Sequence, residues 1–113
     1  MRKDKERMEE HWVVCVEFPK YSVSNYGNVR NNRTGRDLKL TVGKDGRIRL
    51  WLSVEDGFKQ SVLVHHLVAQ AFFENYKGDM QIKHLNGVLH DNSVINLSLG
   101  TRRKRLPDYL KLW

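Results

Sequence analysis

The chain has 113 residues, 40% of them hydrophobic, and a formal net charge of +7. A chain of this length buries roughly 65% of its unfolded surface, which allows one small hydrophobic core. Its apolar runs are too short to cross a bilayer, and no apolar segment follows the charged start, so we expect neither a membrane span nor a signal peptide.

The first half of the chain has the pattern of a small β-structure. The opening residues MRKDKERMEE are mostly charged, and we expect a frayed helix or a disordered lead-in over 1–10. From 11 to 63, short β-branched runs alternate with turn residues, which predicts an antiparallel meander. We expect strands at 12–18, 21–23, from 29 onward, at 38–42, 47–52 and 61–64, with turns at 25–28, 31–35, 43–46 and 55–57.

The single cysteine, Cys15, lies among valines in the first predicted strand. This setting favours a small core residue rather than a nucleophile. One cysteine excludes an internal disulfide and a cluster of thiolate metal ligands. A reducing compartment, the cytoplasm, is therefore expected.

The sequence RIRLWL at 47–52 alternates strictly between basic or aromatic and aliphatic residues. This period of two predicts a strand with an apolar face and a basic face. The basic face would carry Arg47, Arg49 and Trp51. These side chains are either ordinary exposed strand residues or a surface that follows a polyanion, which the net charge favours.

The second half begins with a predicted helix and continues with a predicted hairpin. The apolar residues of VHHLVAQAF at 64–72 recur at helical spacing, so one face of this helix should be buried. The alternation in MQIKH at 80–84 predicts a strand that ends at His84, and Asn86-Gly87 predicts a turn after it.

Two ordered stretches resemble a known family. Residues 64–72, His84, Gly87, Asn92 and Asn96-Leu97 are similar to the HNH nucleases of the phage and intron homing type. The stretch YSVSNYGNVR at 21–30, with 34–36 and 38–39, resembles NUMOD4, a small DNA-binding module that often precedes the nuclease unit. The resemblance implies an α+β fold with two units. A small NUMOD4-like antiparallel β meander at 11–63 would be followed by a helix and a ββα-type HNH unit with a basic C-terminal tail at 64–113.

The resemblance also implies catalytic roles. In this family a histidine acts as general base on water, and a loop asparagine orients the histidine. Carried over to this chain, His84 corresponds to the base and Asn96 to the orienting residue. His65 matches another family position, and we interpret it as a packing residue at the strand–helix junction.

The positions at which the family holds a divalent metal carry cations in this chain. The residue before the histidine is Lys83, and the second ligand position falls at Arg105. A protonated lysine or an arginine has no lone pair to donate to a metal. Asn86 stands where the family usually has Asp, and Pro107 interrupts the predicted final helix. We therefore expect no resident cofactor and no cleavage, whereas an active enzyme would need Mg²⁺.

The implied partner is DNA. Basic groups interleaved with aromatic side chains suit a phosphate backbone through charge and stacking. The predicted nucleic-acid contacts are Arg30, Arg33, Arg36, Lys39, Arg47, Arg49, Trp51, Lys83, Arg102, Arg103, Lys104 and Arg105.

Two alternatives stay open at the level of sequence. One is an active metal-dependent DNA nickase or endonuclease. The other is a phage protein that binds and modulates a host protein in the host cytoplasm, for which the amphipathic end 107–113 would be a docking segment.

Overall fold

The computed structural model describes residues 9–54, 57–78 and 80–102, with the backbone alone at 101 and 102. Seven short strands and one α-helix make up this part of the chain, in an α+β arrangement. The strands are antiparallel and lie in three small sheets. The predicted α+β class is confirmed.

The first sheet contains β1 (Trp12–Val14), β2 (Tyr21–Ser24) and β3 (Val29–Asn31), in that order. The turn between β2 and β3 is closed by the Gly27 amide, which donates to the Ser24 carbonyl at 2.9 Å. Gly27 has φ +88°, a left-handed conformation that a side chain disfavours. The predicted turn at 25–28 is thus present.

The second sheet is a hairpin that leads into the helix. It pairs β4 (Arg49–Ser53) with β5 (Lys59–Leu63), and helix α1 (Val64–Phe72) follows without a break. The Val64 amide donates to the carbonyl of Ile48, so the helix start is tied to the residue just before β4. The apolar face of the predicted helix is confirmed, because Val64, Leu67 and Val68 are buried.

The third sheet is the hairpin of the second unit. It pairs β6 (Met80–His84) with β7 (Leu97–Arg102), with His84 opposite Leu97. A short 3-10 helix, Val94–Asn96, lies in the loop between these strands. The predicted strand that ends at His84 and the turn at Asn86-Gly87 are both present.

One hydrophobic core joins the two halves of the chain. Helix α1 contacts β2, β5 and β6. The core contains Val23 and Val29 from the first sheet, Leu52 from the second, and Leu97 from the third. Burial of these side chains in one core with the apolar face of α1 holds the three small sheets together.

Three expectations differ from the structure. The strand predicted at 12–18 ends at Val14, and residues 15–21 form turns whose hydrogen bonds run from Phe18 to Cys15 and from Tyr21 to Phe18. The extended segment 38–42 makes a single bridge, between Val42 and Ile48, rather than a strand. The meander at 11–63 is divided between two sheets.

Other predictions fall outside the described residues. These are the structure of the lead-in 1–8, residues 55 and 56 of the predicted turn 55–57, the final helix of the ββα unit and the C-terminal segment 107–113. The described part of the chain holds no helix with the length and apolar content needed to span a membrane.

Candidate functional site

His84 lies at the end of β6 on the half-buried face of that strand. In β6 the half-buried residues Met80, Ile82 and His84 alternate with the exposed Gln81 and Lys83. His84 Nε2 is 2.9 Å from Asn92 Oδ1. An amide oxygen can only accept, so Nε2 carries the proton and donates it. In the neutral ring the lone pair is then on Nδ1, the nitrogen that could accept a proton.

Asn92 is held by the first module. Asn92 is buried, with 4% of its surface exposed. A Cβ placed on Gly27 would lie 3.0 Å from Asn92 Cβ and 3.1 Å from the Asn92 carbonyl oxygen. Two residues on, the Val94 amide donates to the Asn25 carbonyl at 2.8 Å. The β2–β3 turn therefore packs directly on the loop that carries the partner of His84.

The orienting contact predicted for Asn96 is made by Asn92. The Asn96 side chain closes the loop after β6 instead. Its Oδ1 accepts from the Asn86 amide at 3.0 Å, and its Nδ2 donates to Asn86 Oδ1 at 3.0 Å and to the Asp91 carbonyl at 2.9 Å. Through these three bonds, the side-chain amide of Asn96 is bonded to the backbone at Asn86 and Asp91 and to the side chain of Asn86. A catalytic role of Asn96 stays a prediction, and one that would act through the shape of this loop.

His65, at the start of α1, lies beside His84. The two rings meet edge to face, with centroids 5.3 Å apart. Burial lowers the pKa of His65 to about 4, and the nearby charges of His84, Arg47 and Arg49 act in the same direction. His65 is therefore neutral at physiological pH.

Lys83 lies on the other face of the hairpin from His84. Lys83 is exposed and lies opposite Ser98 of β7. Its Cε is 3.6 Å from the position that a Cβ on Gly100 would occupy, so the side chain extends along β7. Lys83 stays a predicted DNA contact, but at a place separate from the ring of His84.

The described side chains around His84 do not fit a divalent metal site. No three His, Cys, Asp or Glu side chains converge within the described ranges. The neighbours of His84 are a histidine ring and an amide oxygen, whereas Mg²⁺ prefers several oxygen ligands. The carboxylate of Asp91 accepts a hydrogen bond from Asn86 Nδ2 at 2.9 Å. The predicted ligand position Arg105 lies outside the described residues.

The basic face of β4 is present as predicted. Ile48, Leu50 and Leu52 are buried, whereas Arg49 and Trp51 are exposed, with 67% of the Trp51 surface accessible. Both Arg47 and Arg49 pair with the exposed Asp45, at 3.6 Å and 3.0 Å. The hydrogen bonds from Arg47 and Arg49 lower the pKa of Asp45.

The other predicted DNA contacts are in different settings. Arg33, Arg36 and Lys39 are exposed. The Arg30 guanidinium lies 3.7 Å over the ring of Trp12, a cation–π contact that gives this residue a packing role. Arg102 belongs to β7 and its side chain is not described, and Arg103, Lys104 and Arg105 lie outside the described residues.

Two residues of this site had only a weak signal in the sequence. Asn92 belongs to the family pattern, but the spacing of two asparagines from His84 does not tell which one reaches the ring. His65 matches the pattern as well, but its contact with His84 joins positions 19 residues apart in the sequence. In both cases the contact depends on how α1 and the loop pack together.

Comparisons with known proteins find a NUMOD4 motif in the first half of the chain and similarity to HNH endonucleases. A NUMOD4 motif matches residues 10–53. The chain is 35% identical over 83 residues to the DNA endonuclease I-HmuI of Bacillus phage SP01, a match that covers 74% of this chain and 47% of that protein. It is also 35% identical over 86 residues to an uncharacterized HNH endonuclease of Acanthamoeba polyphaga mimivirus, covering 74% of this chain and 21% of the relative.

A solved structure is similar as well. It describes DNA binding and cleavage by the HNH homing endonuclease I-HmuI, and it matches with a TM-score of 0.73 at 26% identity. The match covers 90% of this chain and 65% of that chain. The matches thus span less than half the length of the two relatives above, and the scaffold of this chain is similar to that of an HNH homing endonuclease.

Proposed function

We propose, on the premise that this chain is a homologue of HNH endonucleases with a NUMOD4 motif, that it binds DNA and does not cleave it. The DNA would lie across the basic face of β4 and the loop side of the β6–β7 hairpin. His84 would contact the backbone there as a ligand rather than as a working base.

The observation that carries DNA binding is the position of two cations, Arg47 and Arg49, near the paired rings of His65 and His84. Arg47 and Arg49 are close enough to His65 to lower its pKa, and the His65 ring contacts that of His84. Trp51 projects from the same face of β4 as Arg49. Arginine guanidinium groups suit phosphate oxygens, and an exposed indole suits stacking on a base.

The absence of cleavage is inferred from the metal ligands. HNH chemistry needs a metal to stabilise charge on the phosphate while the histidine takes the proton. Lys83 stands where the family has a ligand, and the described side chains near His84 offer one amide oxygen that already accepts from the ring. A metal at this site would therefore have few oxygen ligands from the described residues.

The proposal is tested with supercoiled plasmid in the presence of Mg²⁺ or Mn²⁺. Conversion to nicked or linear DNA is measured beside a gel shift on the same samples. We expect salt-sensitive binding without nicking, in the natural chain and in His84→Ala alike.

The same assay separates the alternatives. The contact between His84 and Asn92 leaves Nδ1 unprotonated in the neutral ring, which is a feature that favours an active nickase. Metal-dependent nicking that is lost in His84→Ala would overturn our proposal and establish the enzyme. Weak DNA affinity together with a stoichiometric protein partner would support the host-protein alternative, and the cytoplasmic location stays a prediction.

A further inference from the structure

The β2–β3 turn of the NUMOD4 segment packs closely on the loop that carries Asn92. Gly27 has φ +88° and faces Asn92, whose Cβ, carbonyl oxygen and carbonyl carbon would lie 3.0 to 3.2 Å from an added Cβ. A Cβ at these separations would force Asn92 to give way by a few tenths of an ångström. The position needs glycine for two reasons, its backbone conformation and this contact.

A second contact fixes the same loop. The Asn25 carbonyl accepts a hydrogen bond from the Val94 amide at 2.8 Å, on the first residue of the 3-10 helix. Asn25 is itself buried, and its side chain is bonded to the backbone of His11 and Glu9. The turn that holds the loop is thus rigidly anchored in the first module.

The loop in turn carries the hydrogen-bond partner of His84. Asn92 lies between Gly27 and the His84 ring, and its Oδ1 is the acceptor of the Nε2 proton. A shift of a few tenths of an ångström at the Asn92 backbone would be passed to a hydrogen bond that is 2.9 Å long.

We propose that Gly27 and Asn25 of the first module are positioning residues for His84, acting through Asn92 to hold the ring in its Nε2-protonated form. The two sequence units then form one functional surface, in which the NUMOD4 turn sets the geometry of the HNH histidine. This rests on the proposed function only for the role of the surface in DNA binding, because the contact itself is a property of the free protein.

The test compares two glycines that share a backbone conformation. Gly35 has φ +73° and nothing within 4 Å of an added Cβ, so Gly35→Ala also places alanine at a positive φ but without the contact. The ring nitrogen chemical shifts of His84 are measured by NMR in the DNA-free protein, with His84→Ala to assign the signals. We expect Gly27→Ala to lose the Nε2–H signature and Gly35→Ala to retain it.

Two further variants keep the test decisive if Gly27→Ala does not fold. Val94→Pro removes the amide that donates to Asn25 and exchanges a partly buried valine side chain for a proline ring. Its backbone suits the position because Ser93 has φ −65° and ψ 140°, as a residue before proline prefers. It should change the His84 signals in the same way. Asn92→Leu should also lose the signature, whereas Asn92→Asp keeps an acceptor oxygen and should restore it.

The outcomes are separable from those of the DNA assays. Unchanged nitrogen chemical shifts of His84 in folded Gly27→Ala and Val94→Pro would overturn the proposal, because the turn would then not position the His84 ring. Loss of the signature in both variants supports it, even if the natural chain proves not to bind DNA.

Discussion

At the scale of the residue, the two asparagines after His84 have different tasks. Asn92 accepts the proton of the His84 ring, and Asn96 closes the loop with three hydrogen bonds. Both asparagines belong to the sequence pattern, but the pattern does not show which of them bonds to His84. An amide group in a buried site bonds to whichever partners the fold brings within about 3 Å, which spacing along the chain does not reveal.

Replacement of Asn96 tests its task directly. Asn96→Ala leaves the Asn86 amide and the Asp91 carbonyl without their partner in a partly buried loop. We expect the free energy of unfolding to fall by about 1–3 kcal/mol, measured by urea denaturation. Asn75→Ala, at an exposed position, is the control and should change it by no more than about 0.5 kcal/mol. An equally small effect at Asn96 would show that the loop does not depend on these bonds.

His65 makes stability depend on pH. Its pKa is lowered from 6.5 to about 4 in the folded protein, so between these values the unfolded chain binds more protons. The contribution of neutral His65 to the free energy of unfolding is therefore fully present above about pH 6.5, and it is lost as the pH falls through about 4. Because the side chain is only half-buried, solvent screening reduces the effect to about 1–2 kcal/mol.

The measurement is urea unfolding at pH 7 and at pH 4.5. His65→Gln cannot titrate and should lose less stability over this interval than the natural chain. His90→Gln, at an exposed position, serves as the control and should follow the natural chain. If the natural chain and His65→Gln have parallel pH profiles, His65 is not the responsible group.

At the scale of the element, strand β4 was predicted well and the first strand was not. The alternation at 47–52 matches the buried and exposed faces of β4, because a strand with one face on the core must repeat every two residues. In the segment 12–18 the buried residues Cys15 and Phe18 are three positions apart, which two-residue alternation cannot provide. Turns with hydrogen bonds to Cys15 and Phe18 point both side chains inward instead.

The two exposed residues of β4 should contribute to DNA affinity in different ways. The logarithm of the DNA-binding constant falls linearly as the logarithm of the salt concentration rises. Arg49→Gln should make this slope less steep by about 0.9, the value for one phosphate contact. Trp51→Ala should weaken binding at every salt concentration and leave the slope unchanged, because stacking releases no counterions. Gel shifts at a series of salt concentrations measure both. The same slope in all three proteins would remove Arg49 from the interface.

At the scale of the whole molecule, the two sequence units share one core. The first module contributes Val23 and Leu52, the HNH unit contributes α1 and Leu97, and the Val64 amide bonds across the predicted boundary to Ile48. The division at 63 and 64 stays a prediction about modules. In the folded chain β5 continues directly into α1.

The sequence by itself determined the α+β class, the main turns, the two faces of β4 and the strand that ends at His84. These features depend on local periodicity and on residues such as Gly27 and Gly87 that adopt a left-handed conformation. The tertiary structure alone decided that Asn92 is the partner of His84, that His65 lies beside it, and that Lys83 is on the opposite face from the ring. Such contacts depend on packing among α1, the β2–β3 turn and the loop after β6, elements that are distant in the chain and brought together by a common core.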